Sequence, residues 1–278
     1  MINSVDLHVH TNCSDGLLWP EAVIDFCLKN GVKVLSITDH DTVDAHLQLR
    51  EYVQGKEITL VPGVELSTSW KSTDFHILGY FIDIEDPHFL EKIDFFRQER
   101  MKRGEAIVKK LNSLGVDISM ETVKKIAGSS VMGRPHVADA LVKEEYVLTL
   151  DEAFARYLGY HAPAYVPKQY LTPREAIKLI HKSGGVAVWA HPGPTGKDNL
   201  LSDFVDMGLD GIEVYHPLHD LRANRHYTNL AKRYNILYTG GSDCHARRER
   251  ILIGSQKVPY KCYKMLTSAR DEHSNDRS

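Results

Sequence analysis

The sequence predicts an α/β fold in which a mainly parallel sheet closes into a barrel, interrupted by an inserted small helical domain. Short apolar strands alternate with amphipathic helices over residues 1–86 and again over 160–270, and this alternation implies parallel strands joined by helices. The number of units favours a barrel over an open sheet. Residues 87–159 contain long charged helical stretches instead, and residues 271–278 form a polar tail.

The first elements are a strand and a helix. In the stretch "VDLHVH" apolar and polar residues alternate, so His8 and His10 project from one face of the strand. The stretch "WPEAVIDFCLKNG" has apolar residues at helical spacing, starts with Pro20 and ends with Asn30 and Gly31. It predicts an amphipathic helix that a glycine terminates. Three further strand candidates follow: "VKVLSITDHD", "EITLVPGVELS" and "FHILGYFID".

Strand and helix alternate again after the helical insertion. The stretch "TPREAIKLIHKSGG" predicts a helix with Thr172 as its N-cap and Pro173 as its first residue. The remaining elements are, in order, the strand "VAVWAHP", a helix near "NLLSDFVDMG", the strand "GIEVYHP", the helix "LRANRHYTNLAKRYN" and the strand "ILYTGGSDCH". The charged stretches of the insertion are interpreted as solvated helix faces.

Composition argues against several classes of protein. The four cysteines are scattered over the 278 residues without paired metal-finger spacing, which favours reduced thiols in a cytoplasmic protein. No apolar run approaches the roughly 20 residues that a membrane span needs. The net charge of -3 gives no global basic field, so stable binding of duplex DNA is not expected. No strand carries a GxGxxG or GxxxxGKS/T phosphate loop.

Potential metal ligands collect where the predicted strands end, which is where a parallel barrel places its chemistry. They comprise six imidazoles and three carboxylates: His8, His10, Asp15, His40, Glu65, His76, His191, Asp243 and His245. The "HVH" pair alone could be two satisfied core histidines, but the recurrence after most strands indicates a metal site. The donor set suits Zn, Mn or Fe better than Mg or Ca. Because nine ligands exceed one tetrahedral site, two or three divalent metal ions are expected.

The ordered motifs "HVHTNCSDG", "TDHD", "GVE", "AHP" and "SDCH" resemble those of the PHP family, named from polymerase and histidinol phosphatase. The spacing over the barrel portion is similar to that of stand-alone members with a helical insertion. Those members are phosphoesterases that act on nucleoside monophosphates, nucleoside bisphosphates or short RNA, and they include 5′-3′ exoribonucleases. The resemblance implies a distorted (β/α)7 barrel and implies that the nine residues named above are its metal ligands.

Substrate contacts are expected from the insertion and from one later strand. The stretch "GRPHVADAL" places Arg134 and His136 at a helix start, where a guanidinium group, a ring and free backbone amides suit a phosphate. The alternative for Arg134 is an ordinary exposed arginine. Lys168 in "VPKQYL" is a fainter phosphate-binding candidate. His216 in "EVYHP" could contact the substrate or donate a proton, and a packing or ligand-orienting role agrees equally well with the sequence.

Two aspartates flank a candidate ligand. Asp39 and Asp41 lie on either side of His40, and one of them could orient its ring by a hydrogen bond. Asp41 could equally cap the helix that follows. Both are predicted to support the metal site without binding metal themselves.

The leading hypothesis is a metal-dependent phosphoesterase that uses metal-bound hydroxide to release phosphate, or a 5′ nucleotide, from a small phosphorylated substrate. The resemblance implies nucleoside 5′-monophosphates, 3′,5′-bisphosphates or short oligoribonucleotides as substrates. One alternative is histidinol-phosphate phosphatase, against which the insertion and the Arg134 region argue mildly. The other is a non-enzymatic metal-stabilised module, which should have lost ligands or belong to a much longer chain.

Overall fold

The fold is given by a computed structural model that describes residues 5–168, 171–247 and 251–275. Its strands are β1 (Val5–Val9), β2 (Val34–Ile37), β3 (Thr59–Trp70), β4 (Thr73–Tyr80), β5 (Val186–Trp189), β6 (Gly211–Tyr215) and β7 (Leu237–Gly240). Its α-helices are α1 (Pro20–Lys29), α2 (Asp44–Tyr52), α3 (Pro87–Ser113), α4 (Met120–Ala127), α5 (Arg134–Lys143), α6 (Leu150–Ala153), α7 (Pro173–Lys182), α8 (Pro192–Thr195), α9 (Leu201–Asp206), α10 (Leu221–Tyr234) and α11 (Tyr260–Asn275). A π-helical turn spans Phe154–Leu158, and a short 3-10 helix spans Asp198–Leu200. Within the described ranges, no helix has both the length and the apolar character that crossing a membrane requires.

The strands form one sheet in the order β1 to β7, and neighbouring strands are parallel except at β4. The sheet curls so that the residues following β1 and β7 pair with each other. His10 N donates to Cys244 O at 3.0 Å, and Asp243 N donates to His8 O at 2.8 Å. The distorted α/β barrel predicted from the sequence is therefore confirmed.

Strand β4 is the main distortion of the barrel, because it is antiparallel to both β3 and β5. Only Lys71 and Ser72 separate β3 from β4, and both have positive φ angles, of 47 and 59°. A two-residue connection forms a hairpin and is too short for the crossover that parallel strands need. The hairpin places the two candidate ligands Glu65 and His76 on adjacent strands.

The barrel interior is filled by apolar side chains and is closed at one end by α11. Leu7, Val188 and Leu237 from the strands form one buried cluster with Cys262 and Leu266 of α11. The two helical residues are four positions apart and therefore lie on one face of α11. No helix was predicted after the last strand, yet α11 follows β7 and continues to Asn275, well into the polar tail predicted from residue 271.

The helices between Pro87 and Leu158 contain a buried apolar cluster of their own. Ile107, Val123 and Leu141, from α3, α4 and α5, belong to it. This helical region meets the barrel at the loop after β1, where Val131 N donates to Cys13 O at 2.9 Å. The same loop carries the candidate ligand Asp15, so the helical region packs beside the site described next.

Candidate metal centre

The strands and the loops that follow them bring all nine candidate ligands into one cluster. Eight of them each offer one donor atom to three overlapping groups, and within each group these atoms lie no more than 4.8 Å apart. The groups are His8, His10, Glu65 and Asp243; His10, Asp15, His40 and His245; and His40, Glu65 and His76. His191, the ninth candidate, joins the cluster through Glu65. The cluster has enough donors to hold more than one ion.

The carboxylate of Glu65 lies at the centre of the cluster. Its Oε2 is 3.1 Å from His10 Nε2, 3.1 Å from His40 Nδ1 and 3.4 Å from His8 Nε2. The carboxylate is almost fully buried. Because β1, β2 and β3 are neighbouring strands, their ends direct these imidazoles towards one oxygen atom.

The second oxygen of Glu65 faces the other side of the cluster. Oε1 is 2.7 Å from His76 Nδ1 and 3.0 Å from His191 Nε2. The far nitrogen of His76, Nε2, lies 2.9 Å from the amine of Lys168. Glu65 therefore has the geometry of a bridging carboxylate between two groups of imidazoles.

Two further carboxylates border the cluster. Asp243 Oδ1 lies 3.3 Å from His8 Nε2 and 3.2 Å from His10 Nε2. Asp15 Oδ1 lies 3.3 Å from His245 Nε2, and its Oδ2 is 3.9 Å from His40 Nε2. Asp243 thus faces two imidazoles from the first strand segment, and Asp15 faces imidazoles that follow the second and the last strands.

Several buried ring nitrogens of the cluster make no hydrogen bond to any residue that the structure describes, and this feature bears on whether the cluster fits metal ions. His8 Nε2, His40 Nδ1 and both nitrogens of His10 are buried and make no hydrogen bond within the described residues. Burial opposes ionisation of Glu65, yet the facing His76, His40 and His8 hold the pKa of its carboxyl well below the usual range. An ionised buried carboxylate requires positive charge beside it. Divalent cations would supply that charge and satisfy the imidazole nitrogens, so the residues present fit a transition-metal cluster.

Sequence reasoning missed a buried glutamate behind the cluster. Glu213 Oε1 lies 3.0 Å from His8 Nδ1, and Glu213 Oε2 accepts a hydrogen bond of 2.8 Å from His191 N. A carboxylate in this position keeps the proton on Nδ1 and leaves Nε2 free for a metal. The available signal was an ionisable residue inside the otherwise apolar strand "GIEVY".

His216 supports Asp243 in this structure. His216 Nδ1 accepts a hydrogen bond from Leu218 N at 3.2 Å, and His216 Nε2 lies 3.2 Å from Asp243 Oδ2. With Nδ1 used as an acceptor, the ring proton is on Nε2 and is donated to Asp243. This geometry matches the ligand-orienting alternative, and contact with the substrate stays a prediction.

The two aspartates beside His40 bind other groups. Asp39 accepts hydrogen bonds from Thr11 and Ser14 and thereby stabilises the loop that carries Asp15. Asp41 accepts from Ser67 N at 2.8 Å and pairs with the guanidinium of Arg100. Over the described residues, neither makes a hydrogen bond to the His40 ring.

The N-cap alternative for Asp41 is wrong, because α2 begins at Asp44 with Val43 as its N-cap. Asp41 lies three residues before that start, and its backbone has a left-handed φ of 50°. Its carboxylate is committed to Ser67 and Arg100.

The three predicted phosphate-binding residues lie on the helical side of the cluster. Burial lowers the pKa of the Lys168 amine to about 7, with Asp74 opposing the shift and nearby arginines adding to it. Lys168 lines a cavity of about 330 Å³ together with Asp74 and Tyr165. Arg134 lies 4.0 Å from Asp74, and its guanidinium carbon is 5.7 Å from the centre of the Tyr165 ring. His136 Nδ1 accepts a hydrogen bond from Gly133 N at 3.0 Å.

Arg247 is a second residue that sequence reasoning missed. Its Nε donates to Asp15 O at 2.6 Å, and its Nη1 lies 2.9 and 2.8 Å from the two carboxylate oxygens of Asp139 on α5. Arg247 also lines a cavity of about 300 Å³ that borders Asp243 and His245. It therefore ties the loop after β1, the segment after β7 and the helical region together beside the cluster.

Comparison with known proteins agrees with this geometry. The model of the PHP domain matches residues 6–183. A protein of Salmonella typhimurium named 5′-3′ exoribonuclease Rnm is 34% identical over 247 residues, covering 86% of this chain and 84% of that protein. A 3′,5′-nucleoside bisphosphate phosphatase of Chromobacterium violaceum is 31% identical over 252 residues, covering 88% of each chain. A crystal structure from Bifidobacterium adolescentis, described as a metal-dependent phosphoesterase, superposes with a TM-score of 0.86 at 28% identity and covers 95% of both chains.

The barrel, the cluster of histidines and carboxylates at its strand ends and these relatives together define a metal-dependent hydrolase. More specifically, this chain belongs to the PHP family and is a metal-dependent phosphoesterase, a hydrolase of phosphoric ester bonds. The prediction of an enzyme is confirmed, so the alternative of a non-enzymatic metal-stabilised module is wrong.

Proposed function

We propose that the protein hydrolyses phosphate esters of nucleotides, with nucleoside 5′-monophosphates, 3′,5′-bisphosphates or short oligoribonucleotides as substrates. The observation that carries this proposal is the position of Lys168, whose amine lies 2.9 Å from the candidate ligand His76 in a cavity beside Tyr165. A cation next to the cluster suits a phosphate, and an aromatic ring suits a base. The names of the relatives from Salmonella typhimurium and Chromobacterium violaceum support the same substrate class.

We further propose that the nine candidate residues bind two or three ions of Mn, Fe or Zn. The three overlapping groups of donor atoms support this number, with Glu65 shared between two of them. When bound, such ions supply Lewis acidity, which polarises a phosphoryl oxygen and lowers the pKa of coordinated water. Glu213 and His216 would hold His8 and Asp243 in the required orientation.

The residues around the cluster have separate roles in this proposal. Lys168 and Arg134 bind phosphate oxygens and orient the ester towards the cluster, and the ring of Tyr165 lies beside both. His136, buried at the start of α5, is the weaker candidate for a phosphate contact. His216 lines the cavity that borders Asp243 and His245, so its ring is also the candidate for a contact with the departing alcohol.

A hydrolysis screen with metal-reconstituted protein, which detects both released phosphate and released nucleotides, tests this proposal. The panel contains mononucleotides, 3′,5′-bisphosphates, short RNAs, histidinol phosphate and an aryl phosphate. We expect turnover of the nucleotide substrates to exceed that of histidinol phosphate, and the matched control is the Asp15→Ala variant. Preferential hydrolysis of histidinol phosphate would establish the alternative activity, and activity on the aryl phosphate alone would refute the nucleotide assignment.

A further inference from the structure

A second cluster of histidine and carboxylate side chains lies at the opposite end of the barrel. His181 is in the last turn of α7, Asp210 immediately precedes β6, and His273 is near the end of α11. The backbone of Asp210 joins two strand entrances, because its N donates to Ala187 O and its O accepts from Leu237 N. The cluster is therefore separated from the strand ends that carry the nine candidate ligands.

The two imidazoles approach different oxygens of one carboxylate. His181 Nε2 lies 2.7 Å from Asp210 Oδ2, and His273 Nε2 lies 3.1 Å from Asp210 Oδ1. The distances between Glu65 and its imidazoles range from 2.7 to 3.4 Å, and both distances at Asp210 fall within this range. One atom from each of the three residues lies within 4.8 Å of the others. The second cluster thus repeats the spacing of the first with a smaller donor set.

A backbone contact indicates which nitrogen of His273 carries the proton in the neutral ring. His273 Nδ1 lies 3.1 Å from Gly185 O, and a carbonyl oxygen only accepts, so this nitrogen carries the proton. In the neutral ring, Nε2 of His273 then carries a lone pair that faces the ionised carboxylate of Asp210. Two lone pairs repel each other unless a proton or a metal ion lies between them.

Asp210 also has a backbone partner. Ala187 N donates to Asp210 Oδ2 at 2.7 Å, a contact that favours the ionised carboxylate. Metal-binding residues commonly have such outer contacts, here Gly185 O behind His273 and Ala187 N behind Asp210.

We propose that His181, Asp210 and His273 bind one Zn²⁺ ion that attaches the C-terminal helix to the base of the barrel. Two imidazoles and a carboxylate are a donor set that zinc accepts, with a water molecule in the fourth position. The exposed fractions of the three side chains, 31%, 14% and 26%, leave room for that water and for entry of the ion. The ion connects α7, the entrance of β6 and α11, three segments that are distant in sequence. Because the unfolded chain lacks this arrangement, binding stabilises the folded state.

Anomalous diffraction locates the ion directly. Crystals of the full chain grown with Zn²⁺ and measured at the zinc absorption edge should give a peak between His181 Nε2, His273 Nε2 and the Asp210 carboxylate. Peaks at the nine-residue cluster serve as a positive control in the same crystal. Absence of density at the second cluster, with peaks present at the first, would show that a proton rather than zinc joins these residues and would overturn the proposal.

Zinc content in solution gives an independent test. After dialysis against Zn²⁺, the His181→Gln and His273→Gln variants should each hold one equivalent less than the wild type while phosphoesterase turnover is unchanged. His226→Gln is the matched control, because His226 pairs with one carboxylate, Asp198, at 2.6 Å, so it should hold the full amount. Added Zn²⁺ at about 100 times its Kd should raise Tm by roughly 5 °C more in the wild type than in His273→Gln. Equal zinc content in all four proteins would refute the site, and Asp210→Asn provides a second variant if either histidine variant does not fold.

Discussion

Arg247 and Asp139 form an ion pair that joins the segment after the last strand to the helical region. One guanidinium nitrogen lies 2.9 and 2.8 Å from the two carboxylate oxygens, and both side chains are mostly buried. The same arginine holds the backbone oxygen of Asp15. The pair therefore connects the helical region to a loop of the metal centre.

Breaking this pair should destabilise the protein. We expect Arg247→Lys to lower the free energy of unfolding by about 1.5–3 kcal/mol, because the single nitrogen of lysine cannot contact Asp15 O and the Asp139 carboxylate at the same time. A double-mutant cycle with Asp139→Asn, measured by urea denaturation, should give non-additive losses. The control is Arg50→Lys, whose exposed partner Glu85 should make the loss no more than about 1 kcal/mol. Additive losses at Arg247 and Asp139 would mean that the pair contributes little.

Glu213→Gln should weaken metal binding without changing the fold. The amide is isosteric but removes the charge behind His8 Nδ1, and loss of such a contact typically costs roughly 10- to 100-fold in metal affinity. Metal titration of the apoprotein measures the change, and excess metal should restore turnover. Unchanged affinity would show that Glu213 serves only the backbone of His191.

Asp15→Ala and His191→Ala should each abolish turnover while leaving the far-ultraviolet circular dichroism unchanged. Both residues lie at the rim of a barrel whose core is formed by other side chains. Elemental analysis of the purified protein should find more than one transition-metal equivalent in the wild type and fewer in the variants. His226→Ala is the control for loss of an imidazole, because His226 pairs with Asp198 and belongs to none of the three groups of donor atoms. A variant that keeps full turnover would exclude that residue as a ligand.

Arg134→Ala should reduce kcat/KM on nucleotide or bisphosphate substrates by about ten- to a hundred-fold, since a charge-assisted contact is worth roughly 1.5–3 kcal/mol. A small aryl phosphate should be affected much less, and metal content should not change. Arg156→Ala removes an exposed arginine of the same region and is the control. Equal losses on both substrates would place Arg134 at the scissile phosphate, and no loss would leave it a structural residue beside Tyr165.

His136 should make stability depend on pH. Burial lowers the pKa of its ring, with Asp15 and Asp139 opposing this and Arg247 and Arg100 adding to it. The unfolded chain therefore binds a proton more readily than the folded protein, so stability is lost as the pH falls below the unfolded pKa of about 6.5. His136→Gln keeps an acceptor for Gly133 N and removes the titration.

Urea denaturation of the wild type and His136→Gln between pH 7.5 and 5.5 measures this effect. The wild type should lose stability faster as the pH falls, by no more than about 1.4 kcal/mol per pH unit. Because both proteins contain the other titrating groups, only the difference between them is informative. Parallel curves would contradict a buried neutral ring at this position.

The barrel and the clustering of the candidate ligands could be predicted from the sequence, because both follow from the local alternation of strands and helices. A residue such as His191 stands directly after an apolar strand, and parallel strands end on one side of a sheet. Glu213 and Arg247 were missed because their contacts join residues 205 and 232 positions apart, which no periodicity encodes. The antiparallel β4 depends on a two-residue turn, and strand-like periodicity alone does not give the direction of a strand.

The pairing of His10 with Cys244 has a consequence for the order of events during synthesis. The barrel closes through contacts between its first and last strands, and both strands lead into candidate ligands. A nascent chain that has not yet reached residue 243 lacks two of the nine candidate ligands, Asp243 and His245, and the backbone segment that pairs with His8. The candidate metal centre can therefore be completed only after the segment that follows β7 has been synthesised and has paired with the segment around His8 and His10.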